Sequence, residues 1–185
     1  MIEPSNPTAT PSTIAPGPDE RRRAALLPIA KRLLAAQAVV LTTHVNADGD
    51  GVGSQAAVAA WLEEAGVRVT IINPTPFPEG LRFLLHREEM ILDAESREAD
   101  LALKEADVVL VLDTSEPNRV APLLDRLDRE RTLVVDHHPP GPSVVGSTAV
   151  QDPEAAATGE LVYDLIRTAQ PTWPRAAVEG IYVAL

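Results

Sequence analysis

Three observations predict an α/β fold with a mostly parallel sheet and helices on both faces. First, short apolar runs alternate with helical patterns along the chain, as in βαβ units. Second, three of those runs end on His or Asp: Val39–Thr43 leads into His44, Val108–Leu112 into Asp113, and Thr132–Val135 into Asp136-His137-His138. Third, the carboxyl ends of parallel strands share one rim of an open sheet, and ligands bind there. Loops far apart in sequence are therefore expected to meet in one His/Asp-rich cluster.

The elements follow in order. Residues 1–18 are rich in Pro, Ser, Thr and Ala without apolar periodicity and read as a disordered tail, leaving 19–185 as one domain. Asp19 is placed to cap a helix running through Arg21–Arg23 to Gln37, with Leu26, Ile29, Ala30, Leu33 and Leu34 on one face despite Pro28. A strand is expected at 38–43, then a glycine-rich turn, then a helix over Val52–Ala65 closed by Gly66. Strand Val67–Ile72 ends at Asn73-Pro74, and residues 74–100, with Pro74, Pro76, Pro78 and then Leu81–Leu85, read as irregular with room for one short helix or strand. A strand at 107–112, a helix at 119–127, a strand at 132–135 and a short strand within Val144–Val150 come next. Helices at 154–169 and from Arg175 onward close the pattern.

Composition narrows the function. With 185 residues and 45% hydrophobic side chains, the chain can bury the core of one domain. No apolar run approaches the roughly 18 residues of a membrane span, so no membrane association is expected. The start, Met1–Pro7, lacks the basic and apolar regions of a secretory signal. Cysteine is absent, which excludes disulfides, thiolate metal sites and thiol nucleophiles and fits a cytoplasmic protein. Sixteen basic against 27 acidic residues give a formal charge of −11, so long duplex nucleic acid is not an expected partner. A small anionic substrate stays open if bound cations reverse the local field.

His44, Asp48 and Asp50 are spaced to point at one place, and Gly49, Gly51 and Gly53 are expected to supply the backbone freedom for it. Imidazole plus carboxylate suits Mn²⁺, Mg²⁺, Fe²⁺, Co²⁺ or Zn²⁺, with the oxygen-rich set leaning toward Mn²⁺ or Mg²⁺. A calcium EF-hand loop beginning at Asn46 fails, because its twelfth position is Ala57 where a bidentate Glu is needed. The glycine spacing also fails the dinucleotide-binding fingerprint. Asp113 alone reads equally as a helix cap, and Arg119 either as a phosphate ligand or as a surface ion-pairing residue. Adjacent histidines flush against a strand end serve packing poorly. One can bind metal while the neighbouring carboxylate fixes a ring tautomer. His86 lies in the irregular region and is expected to be non-functional.

With these pieces in order, the chain resembles the DHH phosphoesterase superfamily, named for a triplet like Asp136-His137-His138. The form His44-x-Asn46-x-Asp48-Gly49-Asp50-x-x-Gly53-Ser54, with Asp113–Arg119 and Ala157–Tyr163, is most similar to the nanoRNase/pAp-phosphatase (oligoribonuclease) branch over about residues 24–185. The resemblance implies two Mn²⁺ ions, with Mg²⁺ or Co²⁺ as substitutes. His44 and Asp48 would hold one ion, Asp50 and His137 the other, and Asp113 would bridge them. Asp136 would support the histidines, and His138 would face the scissile phosphate; Arg119 stands beside them, from its sequence context, as the candidate substrate-binding residue. Asn46 and Ser54 would have supporting roles.

The activity so implied is hydrolysis of short oligoribonucleotides or of 3′-phosphoadenosine 5′-phosphate (pAp), and a homodimer is compatible with it. The same ligands would serve a manganese-dependent inorganic pyrophosphatase, a cyclic-dinucleotide phosphodiesterase, or a metal- or nucleotide-binding module without turnover. The family pattern continues with a fourth, Asp-Thr-Gly motif and a C-terminal substrate domain. The chain reaches Leu185 before either, so it is expected to be a truncated catalytic lobe with impaired turnover.

Overall fold

The computed structural model describes residues 20–169 and 173–185. The expected tail at 1–18 and the Asp19 cap lie outside the described residues.

The chain folds as α1 (Glu20–Ala35), β1 (Ala38–Thr42), α2 (Gly49–Glu64), β2 (Arg68–Ile71), α3 (Arg97–Glu105), β3 (Val108–Leu112), α4 (Ala121–Leu124), β4 (Thr132–Asp136), β5 (Thr148–Gln151), α5 (Thr158–Ala169) and α6 (Arg175–Ala184). The strands make one all-parallel sheet in the order β2-β1-β3-β4-β5. β1, β3 and β4 are buried along their whole length and read as unbroken apolar runs, as a sheet covered on both faces requires. The edge strands β2 and β5 carry exposed or half-buried residues among the buried ones.

Alternation along the strands divides the core. Val39, Leu41, Val69, Ile71, Leu110, Leu112, Leu133 and Val135 face a layer of α1, α2, α5 and α6. Val40 and Val109 face α3 and Leu123 of α4, while Val111 and Val134 meet Val120 and Val145 on the same side. Helices therefore cover both faces, as the sequence predicts. In α1, Leu26, Ile29, Ala30 and Leu33 are buried at helical spacing. Pro28 sits on the exposed side, where water can satisfy the carbonyl it leaves unpaired. In α2 every residue from Gly51 to Leu62 is buried, because the sheet, α5 and α6 enclose it.

Several boundaries differ from expectation. α1 stops at Ala35, α5 starts at Thr158 after a turn over 153–157, and the 119–127 segment is a 3₁₀ turn (Pro117–Val120) followed by the short α4. α3 starts inside 74–100, where the sequence leaves room for only one short helix or strand, and runs on to Glu105. Only Ala99 and Leu103 of this nine-residue helix are buried, too weak a stripe to register, although Ser96 caps it by accepting from the Ala99 N–H at 3.1 Å. α2 begins at Gly49 rather than Val52, so Asp48 is its N-cap and Asp50 lies in its first turn.

Gly49, Gly51 and Gly53 do not supply unusual backbone angles, a second correction. Among the described glycines only Gly66 has a positive φ (84°). It ends α2 with paired bonds from Gly66 N to Glu63 O and from Val67 N to Leu62 O, both 2.9 Å. Gly53 is instead a close-approach residue: a Cβ there would lie 2.5 Å from the Gly180 carbonyl oxygen of α6.

Register positions the strand ends. β1 pairs with β3 at an offset of 69 (Val39↔Val108 to Thr42↔Val111), and β3 with β4 at an offset of 23 (Val109↔Thr132 to Leu112↔Val135). Continued past the strands, the same offsets put His44, Asp113 and Asp136 on one line across the rim. The order 2-1-3-4-5 reverses direction between β1 and β3, the place where parallel sheets open a crevice.

Candidate metal centre

His44 follows β1 by two residues and is buried. Its Nδ1–H donates to the Val45 carbonyl at 2.8 Å, an acceptor that fixes the proton on that nitrogen. Nε2 is turned to the cluster, 3.2 Å from Asp113 Oδ2 and 3.8 Å from Asp48 Oδ1. Asp48 is exposed, and its Oδ1 accepts from the Asp50 and Gly51 amides at 3.1 and 3.2 Å, so capping α2 also aims this carboxylate.

Asp113 is 2% exposed and carries φ 63°, a left-handed conformation that only a few per cent of non-glycine residues adopt. Such strain persists where the surroundings impose it and clusters at functional sites. Its two oxygens face different partners. Oδ2 points to His44, while Oδ1 lies 3.7 Å from His137 Nε2 and 3.7 Å from His138 Nδ1. Two metal-capable groups result, His44/Asp48/Asp113 and Asp113/His137/His138, sharing Asp113.

Asp50 approaches the second group, with Oδ2 3.6 Å from His137 Nε2. Its carboxylate is held by the start of α5, which donates from Thr158 N at 2.8 Å and Gly159 N at 2.9 Å, and Ser54 Oγ–H reaches it at 3.4 Å. Thr158 also donates its hydroxyl to Asp113 Oδ1 at 2.9 Å and accepts from the His137 amide at 3.3 Å. These contacts went unread at the sequence level, where Thr158 marked only a helix start.

His138 is differently held. Asp136 Oδ1 accepts both its backbone N–H (3.0 Å) and its Nδ1–H (2.8 Å), which locks the ring and leaves Nε2 available on a side chain 41% exposed. Arg119 is half-buried, its main-chain carbonyl accepts from Val45 N at 2.9 Å, and its charge is felt at His44. Among the described residues its guanidinium has no hydrogen bond or ion pair. Asn46 shapes the loop through a φ of 56° and an amide bond to Thr75 Oγ1 at 2.8 Å. His86 stands apart on the surface, paired with Glu63.

The electrostatics describe a site short of positive charge. Burial and the neighbouring Asp113 charge push the Asp50 carboxyl up to about 6, against the two amides that favour its ionised form. Both ring nitrogens of His44 face oxygen acceptors, so the metal-free ring makes both bonds only with a proton on each nitrogen, and the hydrogen bond to Asp113 raises His44 over the opposing effect of burial. Burial acts to raise Asp113, but hydrogen bonds from His44 and Thr158 outweigh it and hold this carboxyl below its ordinary value. Asp136 Oδ2 is buried without a hydrogen-bond partner, a costly state unless a cation or water meets it. Carboxylates and imidazoles with no thiolate suit divalent cations of the Mn²⁺, Mg²⁺ or Co²⁺ kind, so the residues fit a metal centre.

Over 137 residues (73% of the chain) the protein is 31% identical to the bifunctional oligoribonuclease and PAP phosphatase NrnA of Thermus thermophilus, a stretch covering 38% of that enzyme. An exopolyphosphatase-related protein from Bacteroides fragilis superposes with a TM-score of 0.77 at 27% identity, covering 87% of this chain and 48% of that one. Exonuclease RecJ bound to manganese shares the fold at 20% identity and a TM-score of 0.50, covering 84% of this chain and 39% of RecJ. The chain thus spans less than half the length of each of these relatives. Residues 38–185 match the model of the DHH family, N-terminal domain, and the chain belongs to that family.

Proposed function

We propose that this chain is the catalytic lobe of a metal-dependent phosphoesterase that hydrolyses short oligoribonucleotides and pAp. The observation that carries the reading is Asp113, one buried carboxylate whose two oxygens face two separate His/Asp groups. His44, Asp48 and Asp113 would hold one Mn²⁺, and Asp50, His137 and Asp113 a second. Bound there, such a pair supplies Lewis acidity toward the phosphoryl oxygens and a water acidic enough to be deprotonated near neutral pH.

The chain's own residues do the rest. Asp48, the N-cap of α2, and Asp50, in its first turn, are each held by backbone amides, so the donors need little rearrangement. His138, fixed through Nδ1 by Asp136, turns Nε2 toward the phosphate, and when Nε2 also carries a proton it can donate that proton to a phosphoryl oxygen or to the leaving oxygen. Arg119 supplies a planar, permanently charged donor for a second phosphate oxygen. The overall charge of −11 disfavours a long duplex and leaves a short anion possible where bound cations reverse the local field. The similarity to NrnA supports the substrate class.

The test is hydrolysis of a diribonucleotide, pAp, pyrophosphate and a cyclic dinucleotide with Mn²⁺ and with a chelator. The readouts are metal dependence and substrate order rather than absolute rate, because the chain spans 38% of NrnA. Mn²⁺-dependent release, fastest from the diribonucleotide or pAp and lost in Asp113→Asn, is expected. A preference for pyrophosphate or the cyclic dinucleotide would overturn the substrate assignment, and release indifferent to chelator would overturn the metal chemistry.

A further inference from the structure

Thr158 opens α5 and is fully buried. A threonine hydroxyl has one proton to give and lone pairs to accept with, and here both directions are fixed by the partners. The Asp113 carboxylate can only accept the O–H (2.9 Å), and the His137 amide can only donate to the oxygen (3.3 Å). The Thr158 backbone N–H goes to Asp50 Oδ2 at 2.8 Å. One residue therefore touches Asp50, Asp113 and His137, drawn from α2, β3 and β4.

All three contacts lie on one side of the centre. Asp113 Oδ1, which receives the hydroxyl, is the oxygen 3.7 Å from His137 Nε2, and Oδ2 is the one 3.2 Å from His44 Nε2. Among the described residues Thr158 makes no hydrogen bond to His44 or Asp48. Asp113 also sits on a left-handed backbone, so its carboxylate plane has to be held by neighbours. His44 holds one oxygen and Thr158 the other.

Resting on the two-ion reading above, we propose that Thr158 is the positioning residue for the His137-side ion, controlling that position without governing the one at His44 and Asp48. Groups that orient metal ligands from outside change metal affinity by about 10–100-fold when removed. Thr158→Val keeps the shape and the backbone N–H to Asp50 but deletes the O–H, leaving Asp113 Oδ1 without it. Thr158→Ser keeps the hydroxyl.

The experiment is calorimetric titration of the metal-free chain with Mn²⁺. Wild type is expected to show two steps. Thr158→Val should weaken one of them by about 10–100-fold while the other stays within about twofold, and Thr158→Ser should restore the weakened one. Thr158→Ala, which adds no bulk, carries the same expectation if the valine variant does not fold. In an Asp48→Asn background, the surviving step should be the one sensitive to position 158. Equal weakening of both steps, no weakening, or failure of serine to restore would overturn the proposal. Wild type taking up fewer than two ions would instead contradict the two-ion reading, and this proposal with it.

Discussion

Asp113 has one carboxylate for two groups of imidazoles and acids, and its surroundings show how that is arranged. The left-handed backbone turns the side chain back over the rim, and His44 and Thr158 each take one oxygen. Asp50, which also reaches His137 and Thr158, feels the same crowding: burial and the Asp113 charge raise its carboxyl to about 6. The sign follows. In the metal-free chain Asp50 is largely protonated below pH 6 and ionised above it, and an arriving cation must displace any proton present. Mn²⁺ uptake at the His137 side should therefore weaken as pH falls through about 6, with more protons released per ion at pH 5 than at pH 8. Calorimetry in two buffers of different ionisation enthalpy counts those protons. Equal release at both values would mean that Asp50 is not the group displaced.

At the scale of elements, the strand ends were legible in the sequence because a buried parallel strand announces itself as an apolar run, and a charged residue closing it stands out. His44, Asp113 and Asp136-His137-His138 needed only that pattern. What stayed hidden depended on contacts between elements. Thr158 is one of many threonines at helix starts, and nothing nearby in sequence says that α5 will dock its first turn on α2. The glycines after Asp48 looked like turn residues, yet they lie in α2 itself. Gly51 clears Thr43, whose Oγ would be 2.5 Å from an added Cβ, and Gly53 clears the backbone of α6. In Gly53→Ala the new methyl would meet the Gly180 oxygen at 2.5 Å and the Ala184 nitrogen at 2.8 Å, and backbone cannot swing aside. α6 must move instead, at a cost of about 2 kcal/mol or more. Urea unfolding should show the midpoint fall, whereas Gly80→Ala, with nothing within 4 Å of its Cβ, should leave it near wild type. An unchanged midpoint for Gly53→Ala would mean the α2–α6 contact is looser than described.

For the whole molecule, the sheet order brings the site together. Reversal between β1 and β3 opens the crevice, the ladder offsets line up the strand ends, and α5 closes the far side by gripping Asp50 and Asp113. α5 is itself anchored from outside, where Arg22 of α1 bonds Asp152 at 2.7 Å and also pairs with Glu160 and Asp164. The framework that holds the donors thus extends from α1 through the sheet to α5. This framework should gather two divalent cations around one shared aspartate. Crystals grown with Mn²⁺ and measured for anomalous scattering test it most directly. Two peaks flanking Asp113 are predicted, one bonded to His44 and Asp48 and the other to Asp50 and His137. An Asp113 with no peak beside it, or with a single ion on one oxygen at saturating Mn²⁺, would contradict it.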